Sequence, residues 1–384
     1  MTTQASTQPS QIPLSILLVE DSIPYAKLVM AKLKHGLTMR HEIQHVDCAH
    51  KGVEAIGRNR FDLIILDMHL PDTSGIETFQ TIHPAASNTP IVILSSDDDE
   101  QLAIDAVMQG AQDYLIKGED DDHTLMRSIR FAIERKKRLH AEGELQAARR
   151  IQQSLLPESP PVMKGYDLHG AMFPAVETAG DYFDFILPLV AIGEDVIGIA
   201  VGDVSGHGLG PAMVIAETRG CLRSFAMLEP DLARMLALTN EILVRNRNSH
   251  FVTLLLGYID QATRIFHFAS AGHPAWHLSA AGKTSQLPGT GLPLGIQSGA
   301  SWETHKTQPL GVGDFLLIMT DGITEATSES GELFGNQRLI EFVRSHKEES
   351  AEEIVKLLHE HLGQFSSGKP QLDDMTMVII KVVE

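Results

Sequence analysis

The stretch V-G-D-V-S-G-H-G-L-G-P-A-M at 201–213 sets one aspartate, Asp203, among four glycines, between an apolar run and a helical stretch. A glycine-rich loop at a helix start can cradle a phosphate on bare backbone N–H groups. The lysine and hydroxyl of a nucleotide-phosphate loop are missing, however, and Pro211 and Ala212 follow the last glycine. A carboxylate at the end of a buried strand suits a hard cation, and one carboxylate cannot hold it alone. Partners are present: Asp181 in E-T-A-G-D-Y-F-D, Asp321 in M-T-D-G-I-T-E, and Asp373 with the adjacent Asp374 in Q-L-D-D-M-T. Each borders an apolar strand, and several neighbour glycine, which lets backbone close around a ligand. No Cys or His cluster has zinc spacing, so an all-oxygen set points to Mg²⁺ or Mn²⁺. Two such ions can activate a water and clamp an in-line displacement at phosphorus without a protein nucleophile. Singly, an Asp-Gly pair reads as a turn; four such sites in one segment argue for a common site. His207 is either the group that protonates a leaving oxygen or a loop residue. His273, in S-A-G-H-P, reads as structural or substrate-facing, and Arg219 and Arg223 as ordinary solvated arginines.

A second set of candidates lies upstream. Apolar runs at 15–19, 61–66, 91–94 and 113–116 alternate with helical stretches, and 41–46 reads as an edge strand. Runs apolar on both faces predict a doubly wound parallel sheet of about five strands. Ligands of such sheets bind beyond the carboxyl ends of the strands. Glu20, Asp21, Asp67, Ser95 and Lys117 all follow strand ends. Three clustered carboxylates repel unless a cation sits among them, and Mg²⁺ suits such oxygens. Asp67 is placed to attack a phosphoryl donor, with Ser95 and Lys117 holding the phosphoryl oxygens. A strand-end aspartate taken singly is most often a helix cap; five matched residues at strand ends are more specific.

The motifs L-L-V-E-D, I-I-L-D-M-H-L-P-D-T-S-G, I-V-I-L-S-S and D-Y-L-I-K-G resemble those of the response-regulator receiver family. The resemblance implies a flavodoxin-like α/β fold, Asp67 as phospho-acceptor, and Glu20 and Asp21 as Mg²⁺ ligands with Asp67. It also implies Ser95 as the switch hydroxyl, Lys117 as the phosphate partner and Tyr114 as the aromatic that changes rotamer. Gly118 departs from the family, where proline is common. From about Leu145 to Val383 the chain resembles the metal-dependent PPM-type Ser/Thr phosphatases of the bacterial sporulation and stress branch. That resemblance rests on A-G-D-Y-F-D, V-G-D-V-S-G-H-G, S-A-G-H-P, M-T-D-G-I-T-E and D-D-M-T. It implies two or more Mn²⁺ or Mg²⁺ ions held by Asp181, Asp203, the Val204 carbonyl, Asp321, Asp373 and Asp374. Ala179 stands where the family usually has the first of two glycines.

The elements that must position these residues divide the chain into four parts. Residues 1–12 read as a loose tail, 13–122 as the receiver, 123–156 as a helical linker, and 157–384 as an α+β layered β-sandwich. The 123–156 stretch has no proline and one glycine, Gly143. Leu125, Ile129, Ala132, Leu139, Ala148, Ile151 and Leu155 recur at roughly helical spacing, which fits either a solvated linker or a coiled-coil homodimer seam. Segment 144–156 also resembles the regulatory helix of the phosphatase branch. In 157–384, strands are expected at 196–201, 252–259, 265–270, 315–319 and 375–383, and helices near 211–227, 231–246 and 350–365.

Composition sets outer limits. The 384 residues carry a formal charge of −19, which disfavours nucleic acid and anionic membrane as partners. Cys48 and Cys221 lie far apart in apolar settings, as expected of packed thiols in a reduced, cytoplasmic compartment. The N-terminus lacks the pattern of a signal peptide, and no apolar run is long enough to span a bilayer. The expectation is a two-component output enzyme. A histidine kinase or other phosphodonor acts on Asp67, and a phosphoserine/phosphothreonine protein is hydrolysed. By family resemblance that protein is an anti-sigma-factor antagonist. A catalytically weak adaptor and a hydrolase of small phosphate esters are the rivals. A DNA-binding output fails on charge and on the lack of a basic helix-turn-helix.

Overall fold

The computed structural model describes residues 13–384 apart from 38, 87–88, 96–99, 119–121, 177, 187–191, 194–195, 207 and 247–249. The chain divides into two compact units, Met1–Gly143 and Glu144–Glu384. Within the first, chain order is β1 (Leu14–Val19), α1 (Ile23–Gly36), β2 (His41–Val46), α2 (Ala49–Arg58), β3 (Leu63–Asp67), the small hairpin β4 (His69–Leu70) and β5 (Thr73–Ser74), α3 (Ile76–Ala86), β6 (Ile91–Ser95), α4 (Glu100–Met108) and β7 (Asp113–Ile116). The five long strands form one parallel sheet in the order β2-β1-β3-β6-β7. β3 and β6 are buried at every position, because helices cover both faces. β2 is the edge strand, and its alternating exposure follows from having one neighbour. Phe61, expected in β3, precedes it as a buried core side chain. The strand order reverses between β1 and β3, which opens a crevice at their carboxyl ends.

Helix α5 (Asp122–Leu155) follows. Its first three turns bury Leu125, Met126, Ile129, Ala132 and Ile133 in the core of the first unit. Beyond them Leu139 and Ile151, expected on one apolar stripe, are 56% and 65% exposed.

The second unit continues with β8 (Tyr166–Phe173), β9 (Asp181–Ile186), β10 (Gly198–Val204), α6 (Leu209–Phe225), α7 (Leu232–Arg245), β11 (Val252–Asp260), β12 (Ile265–Ala271), β13 (Ala275–Leu278), β14 (Thr284–Gln286), β15 (His305–Lys306), β16 (Phe315–Met319), α8 (Asp321–Thr324), α9 (Gly335–Ser345), α10 (Ala351–Phe365) and β17 (Met375–Val382). Two antiparallel five-stranded sheets, β15-β12-β11-β10-β9 and β14-β13-β16-β17-β8, stack face to face. Alternate residues decide the layers. Phe183, Val201 and Leu255 meet Ile318, Val378 and Ile380 between the sheets. Ala200, Leu254 and Leu256 turn outward to α6 and α7, and Leu317, Met377 and Ile379 turn outward to α9 and α10. Strands β8 and β9, the short strands β13 to β15 and helix α9, whose eleven residues are mostly polar, lie outside the expected elements.

Candidate functional sites

In the first unit, Glu20 and Asp21 follow β1 and Asp67 ends β3, on either side of the crevice. One ligand oxygen from each lies within 4.8 Å of the others. Glu20 and Asp67 are buried while Asp21 is exposed. Lys117, just after β7, reaches back to Asp67 Oδ2 and Glu20 Oε2, at 2.7 Å each. Burial, reinforced by the Asp67 charge, holds the Glu20 carboxyl above its ordinary range despite Lys117. Burial alone would lower Lys117, but its hydrogen bonds to Asp67 and Glu20 outweigh it and the ammonium is raised. Three carboxylates against one ammonium leave surplus negative charge, a donor set that fits a divalent cation. Ser95 is buried at the end of β6, and its carbonyl accepts from Lys117 N at 2.7 Å. Tyr114 is partly buried against the α2–α3 side of the core. Gly118 has φ +91° with open space around it. Proline, fixed near −65°, cannot take that conformation, so this loop follows a path closed to the family's usual residue.

In the second unit, the candidate carboxylates are close enough for their charges to act on one another. Asp181 and Asp203 are direct partners across β9 and β10, so their side chains share one face. Asp203 Oδ1, the Val204 carbonyl and the Gly206 carbonyl converge on Gly180, where a Cβ would lie 3.7, 3.1 and 3.0 Å from them. Asp321 begins α8 and Asp373 precedes β17 on the opposite sheet. A Cβ on Gly322 would overlap the Asp374 carbonyl, so the Asp-Gly pair here secures a close chain crossing. Burial, then Asp321, Asp373 and Asp374, push Asp203 up to about 7. Burial and the Asp373 charge raise Asp321, and deep burial raises Asp181 well above the carboxylate range. Mutually repelling oxygens without a protein cation among their named partners are the donor set a divalent ion requires.

Asp373 and Asp374 differ in their surroundings. Asp373 is exposed at the site, whereas both Asp374 oxygens accept backbone N–H groups, Ala175 at 2.8 Å and Gly180 at 2.6 Å. Asp374 thereby ties down the loop before Asp181. His207 lies outside the described residues. Beside Gly322 and Asp373 opens a cavity of about 330 Å³, lined in part by Glu325, Thr327, Ser366, Lys369 and Gln371.

Sequence reasoning missed two supporting groups. Thr320 Oγ1 donates to Asp181 Oδ2 at 2.7 Å. Gln152, near the end of α5, holds Ala179 by a reciprocal pair: its amide donates to the Ala179 carbonyl at 2.7 Å and accepts from Ala179 N at 2.9 Å. The arginines of α6 are a correction. Arg223 forks onto the fully buried Asp184 with two 2.7 Å bonds, and Arg219 Nε lies 3.4 Å from the same carboxylate. Tyr182 donates to it as well, at 3.1 Å. They are ion-paired rather than free in solvent because Asp184 faces the helix layer, an orientation set by strand alternation and the placement of α6.

A response regulator receiver domain model matches residues 16–141, and a stage II sporulation protein E (SpoIIE) model matches residues 193–383. The chain is a response-regulator receiver joined to a SpoIIE-type phosphatase domain. Protein IcfG of Synechocystis is 28% identical over 266 residues, covering 62% of this chain and 41% of that protein. Phosphoserine phosphatase RsbU of Bacillus subtilis is 27% identical over 263 residues, 68% of this chain and 74% of RsbU. The SiaA-PP2C domain of Pseudomonas aeruginosa superposes with a TM-score of 0.56 at 21% identity, over 64% of this chain and 98% of that domain. That last likeness establishes the sandwich fold of the SpoIIE-type domain. The receiver–phosphatase chain spans about two fifths of the length of IcfG. Among its described residues, no helix is long and apolar enough to cross a membrane.

Proposed function

We propose that the chain is a phosphorylation-controlled protein phosphatase that hydrolyses phosphoserine or phosphothreonine on a partner protein. The carrying observation is the convergence of Asp203, Asp181, Asp321 and Asp373 from two sheets on one space, with Asp203 pushed up to about 7 by burial and its like-charged neighbours. Mn²⁺ or Mg²⁺, when bound, supplies Lewis-acid activation of water and of the phosphoryl oxygens. Asp203, the Val204 carbonyl, Asp321 and Asp373 hold it, Asp181 completes the wall, and Asp374 shapes the loop. In the reaction, water oxygen bonds to phosphorus as the bond to the serine oxygen breaks, and that oxygen takes up a proton. His207 is the candidate donor. The likeness to RsbU, named a phosphoserine phosphatase, supports a phosphoserine substrate; an anti-sigma-factor antagonist as the protein that carries it follows from the resemblance to the sporulation and stress branch.

In the receiver, Asp67 accepts the phosphoryl group from a histidine kinase or other donor, Glu20 and Asp21 hold Mg²⁺ with it, and Lys117 pairs with the phosphoryl oxygens. Ser95 and Tyr114 respond to the new charge. Segment 123–156 carries the signal and forms the homodimer contact. Gln152 supports this reading, because it grips the backbone two residues before Asp181. A cytoplasmic site of action suits the free thiols of Cys48 and Cys221.

The test is hydrolysis of an aryl phosphate by the full chain with Mn²⁺, with and without beryllofluoride on the receiver, against Asp203→Asn. Metal-dependent turnover lost in the variant supports the enzyme. No turnover by the wild type in either state would favour an adaptor.

A further inference from the structure

One buried imidazole of the SpoIIE-type domain takes no part in the proposed hydrolysis. His273, 3% exposed, sits between the two sheets of the SpoIIE-type domain. Its Nδ1 lies 3.0 Å from Thr253 Oγ1. Its Nε2 closes no hydrogen bond of ordinary geometry, and the Met319 backbone is the acceptor beside the ring, so with Nδ1 on Thr253 we assign the Met319 carbonyl to the Nε2 side. Burial keeps the ring neutral, pushed down to about 3. A carbonyl only accepts, so the single ring proton belongs on Nε2 and leaves Nδ1 as the acceptor. Thr253 must then donate to Nδ1, and its oxygen lone pairs turn elsewhere.

The sheet register says where. Thr253 is the direct partner of Asp203 across β10 and β11, as Asp181 is across β9 and β10. Partners in an antiparallel pair share a face, with Cβ atoms about 5 Å apart. Asp181, Asp203 and Thr253 therefore form one row across three strands, pointing into the same space. Thr253 is only partly buried, as a group bordering an open site should be.

Resting on the carboxylate-site reading, we propose that Thr253 is a further residue of that site: a neutral oxygen acceptor for the divalent cation or its water, with His273 as the positioning residue that keeps its lone pairs free. Once ionised around a cation, the carboxylates supply charge but cannot donate to Thr253. A cation, or a water that it orients, can use the hydroxyl oxygen.

The experiment compares full-length wild type, Thr253→Val and Thr253→Ser, with Asp203→Asn as the blank that isolates this site from the receiver. Two quantities are read: Mn²⁺ affinity from the free-ion EPR signal, and aryl-phosphate kinetics. The expectation is that Thr253→Val weakens the Asp203-dependent Mn²⁺ binding and lowers kcat, each by about fivefold or more, with KM unchanged. Thr253→Ser stays within about twofold of wild type, since the hydroxyl is kept. His273→Phe should be non-additive with Thr253→Val, because the ring acts through that hydroxyl. Should Thr253→Val fail to fold, Thr253→Ala against Thr253→Ser makes the same comparison. Unchanged Mn²⁺ affinity and kcat in Thr253→Val, with only a lower Tm, would overturn the inference and leave Thr253 as packing. Absence of any Asp203-dependent Mn²⁺ binding in the wild type would instead sink the carboxylate-site reading, and this inference with it.

Discussion

Gln152 and Ala179 exchange both of their amide hydrogen bonds. The side chain of Gln152 donates at 2.7 Å and accepts at 2.9 Å, and both residues are buried. The pair ties the end of α5 to the loop that delivers Asp181, two residues on. Any rotation or shift of that helix end must therefore move this loop or break two buried hydrogen bonds.

Replacing Gln152 tests this tie. Gln152→Leu leaves the Ala179 N–H and carbonyl unpaired at a cost of about 1–3 kcal/mol. Gln152→Glu restores an acceptor but sets a carboxylate against the carbonyl, so it should do no better. The expected result for both is a several-fold loss of kcat and loss of the beryllofluoride response, with receiver loading unchanged. A variant that still responds fully to beryllofluoride would show that the signal takes another route.

The carboxylate site should behave as a stored repulsion. Burial and three like charges raise Asp203, so Asp203→Asn relieves the metal-free protein while removing a ligand. In EDTA its Tm should lie above wild type by a few degrees, about 1 kcal/mol or more. Added Mn²⁺ should raise the wild-type Tm by mass action and the variant's much less. Thermal scans with and without metal decide this; a variant less stable than wild type in EDTA would contradict it.

Asp184 is fully buried and depends on α6. Arg223→Leu removes the two-pronged partner and leaves the carboxylate with Tyr182 and the more distant Arg219. The expected loss is about 2–4 kcal/mol in urea unfolding. Arg223→Lys should recover only part of it, since one ammonium cannot reproduce the fork. Equal stability of all three proteins would mean that Arg219 alone suffices.

His273 predicts a pH dependence with a definite sign. Its folded-state value, about 3, lies below the ordinary 6.5 because of burial. Below pH 6.5 the unfolded chain takes up a proton that the folded protein refuses. Stability is therefore lost as pH falls from 6.5 towards 3, by about 1.4 kcal/mol per pH unit from this group. Urea unfolding of the metal-free protein at several pH values should show a shallower loss in His273→Phe than in wild type. Parallel curves would mean that the ring is charged or solvated in the fold.

Gly118 offers a conformational test in the receiver. At φ +91° with nothing near a would-be Cβ, Gly118→Ala costs only backbone strain, about 1 kcal/mol. Gly118→Pro cannot adopt the angle at all. Beryllofluoride loading should survive the first change and weaken in the second, where the chain following Lys117 is forced onto a new path. Equal loading in both would show that the loop's path does not matter to the site.

Much of this was readable in the chain. Five apolar runs separated by helical stretches sufficed for the receiver fold, and four of them, each followed by a chemically active residue, pointed to Glu20, Asp21, Asp67, Ser95 and Lys117 as candidates. Periodicity and strand ends are local properties, so they survive in one dimension. The four aspartates beside strands and glycines made the second cluster legible for the same reason. Helix α9 escaped because its buried face is only Leu339 and Val343 in a polar stretch.

What the residue order alone determined was which side chains stand at strand ends and how many carboxylates there are to gather. Only the tertiary structure decided their partners. Asp373 and Asp374 are adjacent, yet one faces the site and the other clamps Ala175 and Gly180, nearly two hundred positions away in sequence. Arg223 reads as a surface residue until the strand carrying Asp184 turns that carboxylate towards α6. Gln152 on Ala179, and Thr253 between Asp203 and His273, are likewise products of register and layer. The reason is physical: a hydrogen bond or a desolvated charge depends on what lies across the sheet, and the sheet brings together segments that the chain keeps apart.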